Sequence, residues 1–369
     1  MSGDEPSSRL RMLNAFKRKI PPLVGVDVNT AGITLVGLER AGRGYRMTTF
    51  ATVPMPAGAM ADQGIASVDL VGQTVADALR KAGTRVRDAA LALPGAQVIS
   101  RRILMPAELG ERDLELQIGA DSEQHIPFPL DEVYLDWQVL GPSPKSPGSV
   151  DVLLAAARTD VVDQRVAGVE AGGLRANVLD VEAYALEGAF GVIAPKLPAD
   201  LRDGVIAVVD IGPEVSTLCL LRNRQTVFTR EQLFGTDHLL LQIQQRYGLE
   251  RDQALDAVRQ GTLEADYVTD LLEPFRETVA SQVGRLLQAY YATAGNTRVD
   301  AVLLSGPGAN LPDIAAVVEN EIGLHTLRAD PVGALELAAG LPRERLRAEP
   351  PALMIAIGLA LRTFDDAAR

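Results

Sequence analysis

The chain has 369 residues, too many for one small core, so two or more lobes are expected. A 47% hydrophobic share with 23% charged residues suits an ordinary globular protein, and a net charge of −12 argues against nucleic acid as a partner. The single cysteine, Cys219, excludes an internal disulfide, points to a reducing compartment, and reads as a core side chain.

In chain order, residues 9–19 (RLRMLNAFKRK) carry five basic side chains, with Leu10, Leu13 and Phe16 at roughly helical spacing. Two readings stand: a helix lying on an anionic membrane surface, or, preferred, a frayed basic leader over residues 1–20. No apolar signal segment follows, and the longest apolar run near the C-terminus, residues 352–361, falls far short of a membrane span. A cytosolic protein, at most peripheral to a membrane, is expected.

Residues 23–35, LVGVDVNTAGITL, read as a buried strand, Asp27, a polar turn with Asn29 and Thr30, and a second strand. Val68, Val71, Val75, Leu79 and Ala82 mark one face of a helix that Gly83 closes. Residues 89–104 read as two strands about Pro94-Gly95. Residues 108–128 follow as a helix with Leu114, Ile118, Ser122 and His125 in one stripe, ended by Pro127 and Pro129. Strands over 133–140 and 150–157 flank a turn-rich loop, a helix over 161–173 ends at a glycine pair, and residues 195–204 read as a linker between lobes.

A second copy of the first motif lies 183 residues on. The shift sets Val26 on Val209, Asp27 on Asp210, Asn29 on Gly212, Thr34 on Thr217 and Leu38 on Leu221, which reads as a duplicated lobe. Beyond it come a strand, the triplet Gly235-Thr236-Asp237 and a helix closed by Gly248. A long amphipathic helix follows, with Val268, Leu271, Leu272, Phe275, Val279, Leu286 and Tyr290 on one side. Residues 299–314 then give a buried strand, the glycine turn Gly306-Pro307-Gly308-Ala309 and a helix start.

Three turns therefore share a logic. Small-residue turns let backbone N–H groups approach phosphate oxygens, and the adjacent carboxylates, Asp27 and Asp210, suit Mg²⁺ held through its water shell. Two such hairpins would clamp a nucleotide between lobes. His125, His238 and His325 lack metal-ligand spacing, and Asp131, Glu132 and Asp136 read as loop and strand-edge charges. Trp137 reads as subdomain core.

This order of elements resembles the actin-like ATPase fold: α/β, two duplicated lobes and a central cleft. Within it the chain is similar to the PilM family, FtsA-like proteins of type IV pilus assembly. The discriminating segment is residues 122–140, SEQHIPFPLDEVYLDWQVL, with residues 100–106, 152–166, 173–186 and 301–314 matching in order. The resemblance implies a first lobe over 21–101 and 176–203 and an inserted subdomain over 102–175. The second lobe follows, with its core over 204–245 and 300–369 and a helical subdomain over 246–299. It implies a site for ATP or ADP with Mg²⁺ at Asp27, Asn29, Thr30, Asp210, Gly212, Gly235, Asp237, Gly306, Gly308 and Ala309, with no catalytic residue assigned. The implied partner is the cytoplasmic N-terminal peptide of PilN, within the PilN/PilO inner-membrane complex, with pilus motor ATPases as further candidates. The peptide groove is placed between first lobe and subdomain, walled by Glu123, Gln124, Ile126 and Phe128, and Ile126→Asp is expected to abolish binding while sparing the fold.

Several family positions depart from the pattern. Asn29 replaces a glycine and would keep the turn by entering the left-handed region. Thr34 replaces a lysine, Pro213 and Pro307 remove N–H donors, Leu255 and Val258 replace nucleoside contacts, and Gln282 replaces a glutamate. Together these changes favour a scaffold with weakened nucleotide binding and little turnover. The rival is a working actin-fold ATPase or small-molecule kinase, in which Gly235-Thr236-Asp237 would position water; a plain helix cap explains that triplet equally well.

Overall fold

The computed structural model describes residues 22–61, 64–122, 124–144, 146–199, 201–294 and 298–365. The basic leader and Glu123 lie outside these residues.

The chain opens with β1 (Val24–Asn29), β2 (Gly32–Ala41) and β3 (Gly44–Pro54), a meander in which Asp27 pairs with Thr34. A short ribbon, β4 (Met60–Ala61) with β5 (Gly64–Ile65), leads into α1 (Val68–Ala82). Ser67 caps α1 by accepting the Leu70 N–H at 3.4 Å, and Gly83 ends it in the left-handed region at φ 62°. After β6 (Asp88–Leu93) a short turn passes the chain to β7 (Val98–Pro106). These two strands flank Pro94-Gly95 as expected but join different sheets: β6 pairs with β1, and β7 with β9.

Then come α2 (Glu111–Ser122), β8 (Val133–Pro142), β9 (Ser149–Arg158), α3 (Thr159–Glu170), β10 (Arg175–Val181) and α4 (Glu182–Ile193). β7, β9 and β8 form a three-stranded sheet with Ile103, Met105, Val152 and Leu154 packed on Leu114 and Ile118 of α2. The stripe of α2 stops at Ser122, whose hydroxyl donates to the Ile118 carbonyl at 2.6 Å. The Ser122 carbonyl then accepts the N–H groups of His125 and Ile126, and the turn leaves His125 exposed and buries Ile126 in its place.

The second half runs β11 (Ile206–Ile211), β12 (Ser216–Arg222), β13 (Gln225–Gln232), α5 (Asp237–Tyr247), α6 (Arg251–Gln260), α7 (Glu273–Ala294), β14 (Ala301–Ser305), α8 (Ile314–Ile322), β15 (Thr326–Arg328), β16 (Glu336–Leu337), α9 (Arg343–Ala348) and α10 (Met354–Leu361). The first large sheet has the order β10-β6-β1-β2-β3-β16 and the second β13-β12-β11-β14-β15. Apart from the added β16, each strand has a counterpart, and Asp210 pairs with Thr217 as Asp27 does with Thr34. The duplication read from the 183-residue shift is present in the strand register itself.

A π-helical turn, Val268–Leu272, precedes α7. It shifts the phase of the stripe, so Val268 is 43% exposed while Leu272, Phe275, Val279, Leu286 and Tyr290 are buried. Leu197 and Leu201, within the stretch read as a linker, are buried in the core shared by the two large sheets.

That shared core is built on α10, every residue of which is buried. A helix apolar on all sides fits only between layers. A Cβ on Gly25 would lie 2.1 Å from the Ala356 carbonyl oxygen, so β1 rests directly on the α10 backbone. A Cβ on Gly358 would lie 1.8 Å from the Ala185 carbonyl oxygen, so α4 and α10 cross backbone to backbone. Gly358→Ala should therefore destabilise the chain by about 2 kcal/mol or more in urea melts, since overpacking costs roughly 1–3 kcal/mol. Gly119→Ala in α2, where an added Cβ meets nothing within 4 Å, should be neutral or stabilising by up to about 1 kcal/mol.

Candidate functional site

The carboxylates of Asp27 and Asp210 sit at equivalent ends of β1 and β11, 7% and 6% exposed, on the wall of one cleft. The Ser305 hydroxyl at the end of β14 donates to Asp210 Oδ1 at 2.8 Å. Asn29 Nδ2 donates to Asp27 Oδ2 at 3.2 Å, while Asn29 Oδ1 accepts the N–H groups of Ala31 at 3.0 Å and Gly32 at 3.2 Å. Asn29 does not enter the left-handed region. The expected glycine substitute works differently: its side chain, not its backbone, closes the turn.

The N–H groups of Ala31 and Gly32 are taken by Asn29, Gly212 donates to the Val215 carbonyl at 2.9 Å, Gly306 to Pro351 at 2.9 Å, and Ala309 to Gly306 at 3.2 Å. These donors, which the turn chemistry would aim at phosphate, are spent inside the protein. Gly235, Gly306 and Gly308 are required by packing, because a Cβ on each would lie 2.2–2.5 Å from Pro213 or Ile211. Gly308 and Ala309 lie buried behind the cleft wall rather than lining it.

The cleft spans about 630 Å³ counting its open mouth, and its wall includes Asp27, Asn29, Thr30, Asp210, Gly212 and Gly306 of the predicted set. It also holds residues that sequence reasoning missed: Arg165 from α3, Glu182 at the start of α4, and Glu214. Arg165 is 4% exposed and donates from Nη1 to the Val28 carbonyl at 2.8 Å. No sequence signal marked it, because it lies well outside the phosphate hairpins and comes to Val28 only through the packing of α3. Glu182 had one weak signal, its place where a strand meets a helix start, as Asp27 meets a turn.

Asp27 and Glu182 lie in the field of the Arg165 guanidinium, and Asp210 in that of Asp27. Burial pushes Asp27 up to about 6, against the pull of Arg165 and the Asn29 hydrogen bond. Burial pushes Asp210 up to about 7 despite the Ser305 hydrogen bond, with Asp27 repelling it as well. Glu182 is pushed up to about 8 by burial and by Asp27, with Arg165 opposing. Burial also lowers Arg165, while Glu182 and Asp27 hold it protonated. Such a donor set fits a hydrated divalent cation: hard oxygen ligands, excess negative charge and no competing thiol. Among the described residues no three His, Cys, Asp or Glu side chains converge on one point, so a cation would be held through water.

Two latches cross the cleft mouth. Thr30 Oγ1 donates to Asp237 Oδ2 at 3.0 Å, and Arg251 binds the other Asp237 oxygen at 2.7 Å. The Glu231 carboxylate accepts the N–H groups of Gly95 at 2.6 Å and Ala96 at 2.7 Å. Gly235 and Asp237 thus sit beside the cleft, with the Asp237 N–H on the Pro213 carbonyl.

The other predicted wall falls elsewhere. Gln124 is exposed, Phe128 is half-buried beneath the Arg158 guanidinium, and Ile126 is 4% exposed in the subdomain core. A carboxylate at Ile126 would be buried without a partner, so Ile126→Asp does not spare the fold. Leu255 and Val258 pack on the second-lobe core, and Gln282 accepts a hydrogen bond from Gln232. Cys219 is fully buried, as expected. Trp137 is half-buried against the subdomain core, which it joins at the edge.

Two sheets of matching strand order, each presenting an acidic hairpin to one cleft, define an actin-like ATPase fold. The sequence pattern of the family described as Type IV pilus assembly protein PilM matches residues 25–364, and the chain belongs to that family. A solved PilM-PilN type IV pilus biogenesis complex is similar at 25% identity and TM-score 0.78, over 94% of this chain and 99% of that one. The ethanolamine utilization protein EutJ from Carboxydothermus hydrogenoformans is similar in fold, at 17% identity and TM-score 0.52, over 92% and 90%. MreB5 of Spiroplasma citri, solved bound to ADP, is more distant, at 12% identity and TM-score 0.47, over 94% and 97%.

Raised carboxylate pKa values make the folded chain bind more protons than the unfolded one between about pH 4 and 8. Their contribution is full below the unfolded values and is lost as pH rises through 6, 7 and 8. In chelator-containing buffer the melting temperature should therefore fall from pH 5.5 to 8.5. Glu182→Gln should flatten the upper part of that profile, and a slope unchanged in this variant would remove Glu182 as its source.

Proposed function

We propose that this chain is a scaffold of the type IV pilus inner-membrane assembly platform. It would hold the cytoplasmic N-terminal peptide of PilN between its first lobe and an inserted subdomain. Family membership and the similarity to a PilM-PilN complex support the role. Among the described residues no helix is long and apolar enough to cross a membrane, so the reading has the chain held at the membrane through its partner. PilO and the pilus motor ATPases would be reached through the same platform.

In this reading the inserted subdomain comprises residues 98–158, and α3 bridges it to the first lobe by packing on α1. The groove is assigned to the sheet face opposite α2. There Leu104 is 53% and Leu140 44% exposed, and Asp136 lies within the field of Arg362 from the end of α10. A peptide docked there would use apolar pockets and backbone hydrogen bonds, which require no catalysis.

For the cleft, the reading is weak, cation-dependent nucleotide binding with little turnover. The single observation that carries it is that the N–H groups of Ala31, Gly32, Gly212, Gly306 and Ala309 are already bonded within the protein. Each lost charge-assisted bond to phosphate forfeits about 1.5–3 kcal/mol, enough for several decades of affinity over a few bonds. When bound, Mg²⁺ would neutralise phosphate charge. Asp27 and Asp210 would hold its waters, and Glu182 would face the same space.

Calorimetry with a PilN N-terminal peptide tests the scaffold. Leu104→Asp, on an exposed face, should lower affinity at least about tenfold with the melt unchanged, and equal affinity would remove this groove. A thermal shift with Mg-ATP should be small, lost in Asp210→Ala, and absent without Mg²⁺. Steady phosphate release by the native chain would instead support the rival ATPase or kinase.

A further inference from the structure

The cleft's cation does not come from a phosphate hairpin. Thr34 stands where the family resemblance implies a lysine, and Arg165 reaches the first hairpin from α3. It is more than nine-tenths buried, lies on the cleft wall, and among the described residues makes one hydrogen bond, from Nη1 to the Val28 carbonyl. A guanidinium carries five N–H donors. With one spent on Val28, the other donors make no hydrogen bond among the described residues. Asp27 and Glu182 attract it through space without bonding to it.

A buried arginine left with free donors is costly unless an acceptor joins it. Its planar fork matches two oxygens of a phosphate. We propose that Arg165 binds the terminal phosphates of a nucleotide in this cleft, replacing the lost hairpin cation with one delivered by α3. The assignment rests on the cleft taking a nucleotide at all. It places the phosphate ligand on the helix that continues directly from β9, the central strand of the three-stranded sheet.

The test is calorimetry with Mg-ATP, Mg-ADP and AMP on the native chain, Arg165→Met, Glu182→Gln and the double variant. The double variant removes the guanidinium together with a carboxyl group that attracts it, so it should fold even where Arg165→Met alone does not. The affinity of Glu182→Gln serves as the reference for the double variant. Adding Arg165→Met should weaken ATP about 10- to 100-fold and leave AMP within about twofold, because one charged hydrogen-bonding group to phosphate is lost. ATP binding equal in Glu182→Gln and the double variant overturns the role of Arg165 and leaves the nucleotide reading standing. Equal losses for ATP and AMP also overturn it, since they mark a general disturbance of the cleft. Absence of any nucleotide binding by the native chain overturns both.

Discussion

The structure depends on one close approach: the backbone of α10 pressed against β1 at Gly25 and against α4 at Gly358. Apolar side chains from both large sheets, among them Val36, Ala90, Val208, Cys219 and Leu303, complete the same core. Two lobes joined this way share a floor, and the cleft opens above it. The position of Asp27 relative to Asp210 is therefore set by helix packing, since the two belong to separate sheets. Ile355, at the start of α10, is itself part of the cleft wall.

The cleft shows how a nucleotide fold can keep its frame while its polar groups turn inward. Asn29 satisfies two N–H groups that a glycine turn would leave free, Glu231 satisfies two more at Gly95 and Ala96, and Asp237 takes the Thr30 hydroxyl. Each bond satisfies a donor within the protein and also withdraws it from any ligand. The acids behave oppositely. Burial raises the pKa values of Asp27, Glu182 and Asp210, Asp27 repels the other two, and the acids line a cavity suited to a cation. Satisfied amides with uncompensated carboxylates distinguish this cleft from one built to grip phosphate through its backbone.

Much of the frame was legible because it follows from local chemistry. The 183-residue shift placed Asp27 on Asp210 and Thr34 on Thr217, and the strand ladders repeat those pairs. Gly83 and Gly248 ended their helices in the left-handed region as residues without a Cβ do. Misreadings arose where a side chain or a phase shift intervened. Asn29 closed its turn through its amide, the π turn rotated Val268 to solvent, and the turn after Ser122 exchanged His125 for Ile126 in the core.

The sequence by itself determined the fold class, the duplicated hairpins and their two acids, because alternation, turn residues and strand pairing act over a few residues. Only the tertiary structure decided what else enters the cleft. Arg165 and Glu182 lie outside both hairpins, and Glu231, on the strand beside the second, reaches across to Gly95. Their roles come from burial and from bonds such as Arg165 to Val28, 137 residues apart, and Glu231 to Gly95, 136 apart. A pKa shift or a spent N–H group is a property of surroundings, and surroundings exist only once the lobes have closed on their shared helix.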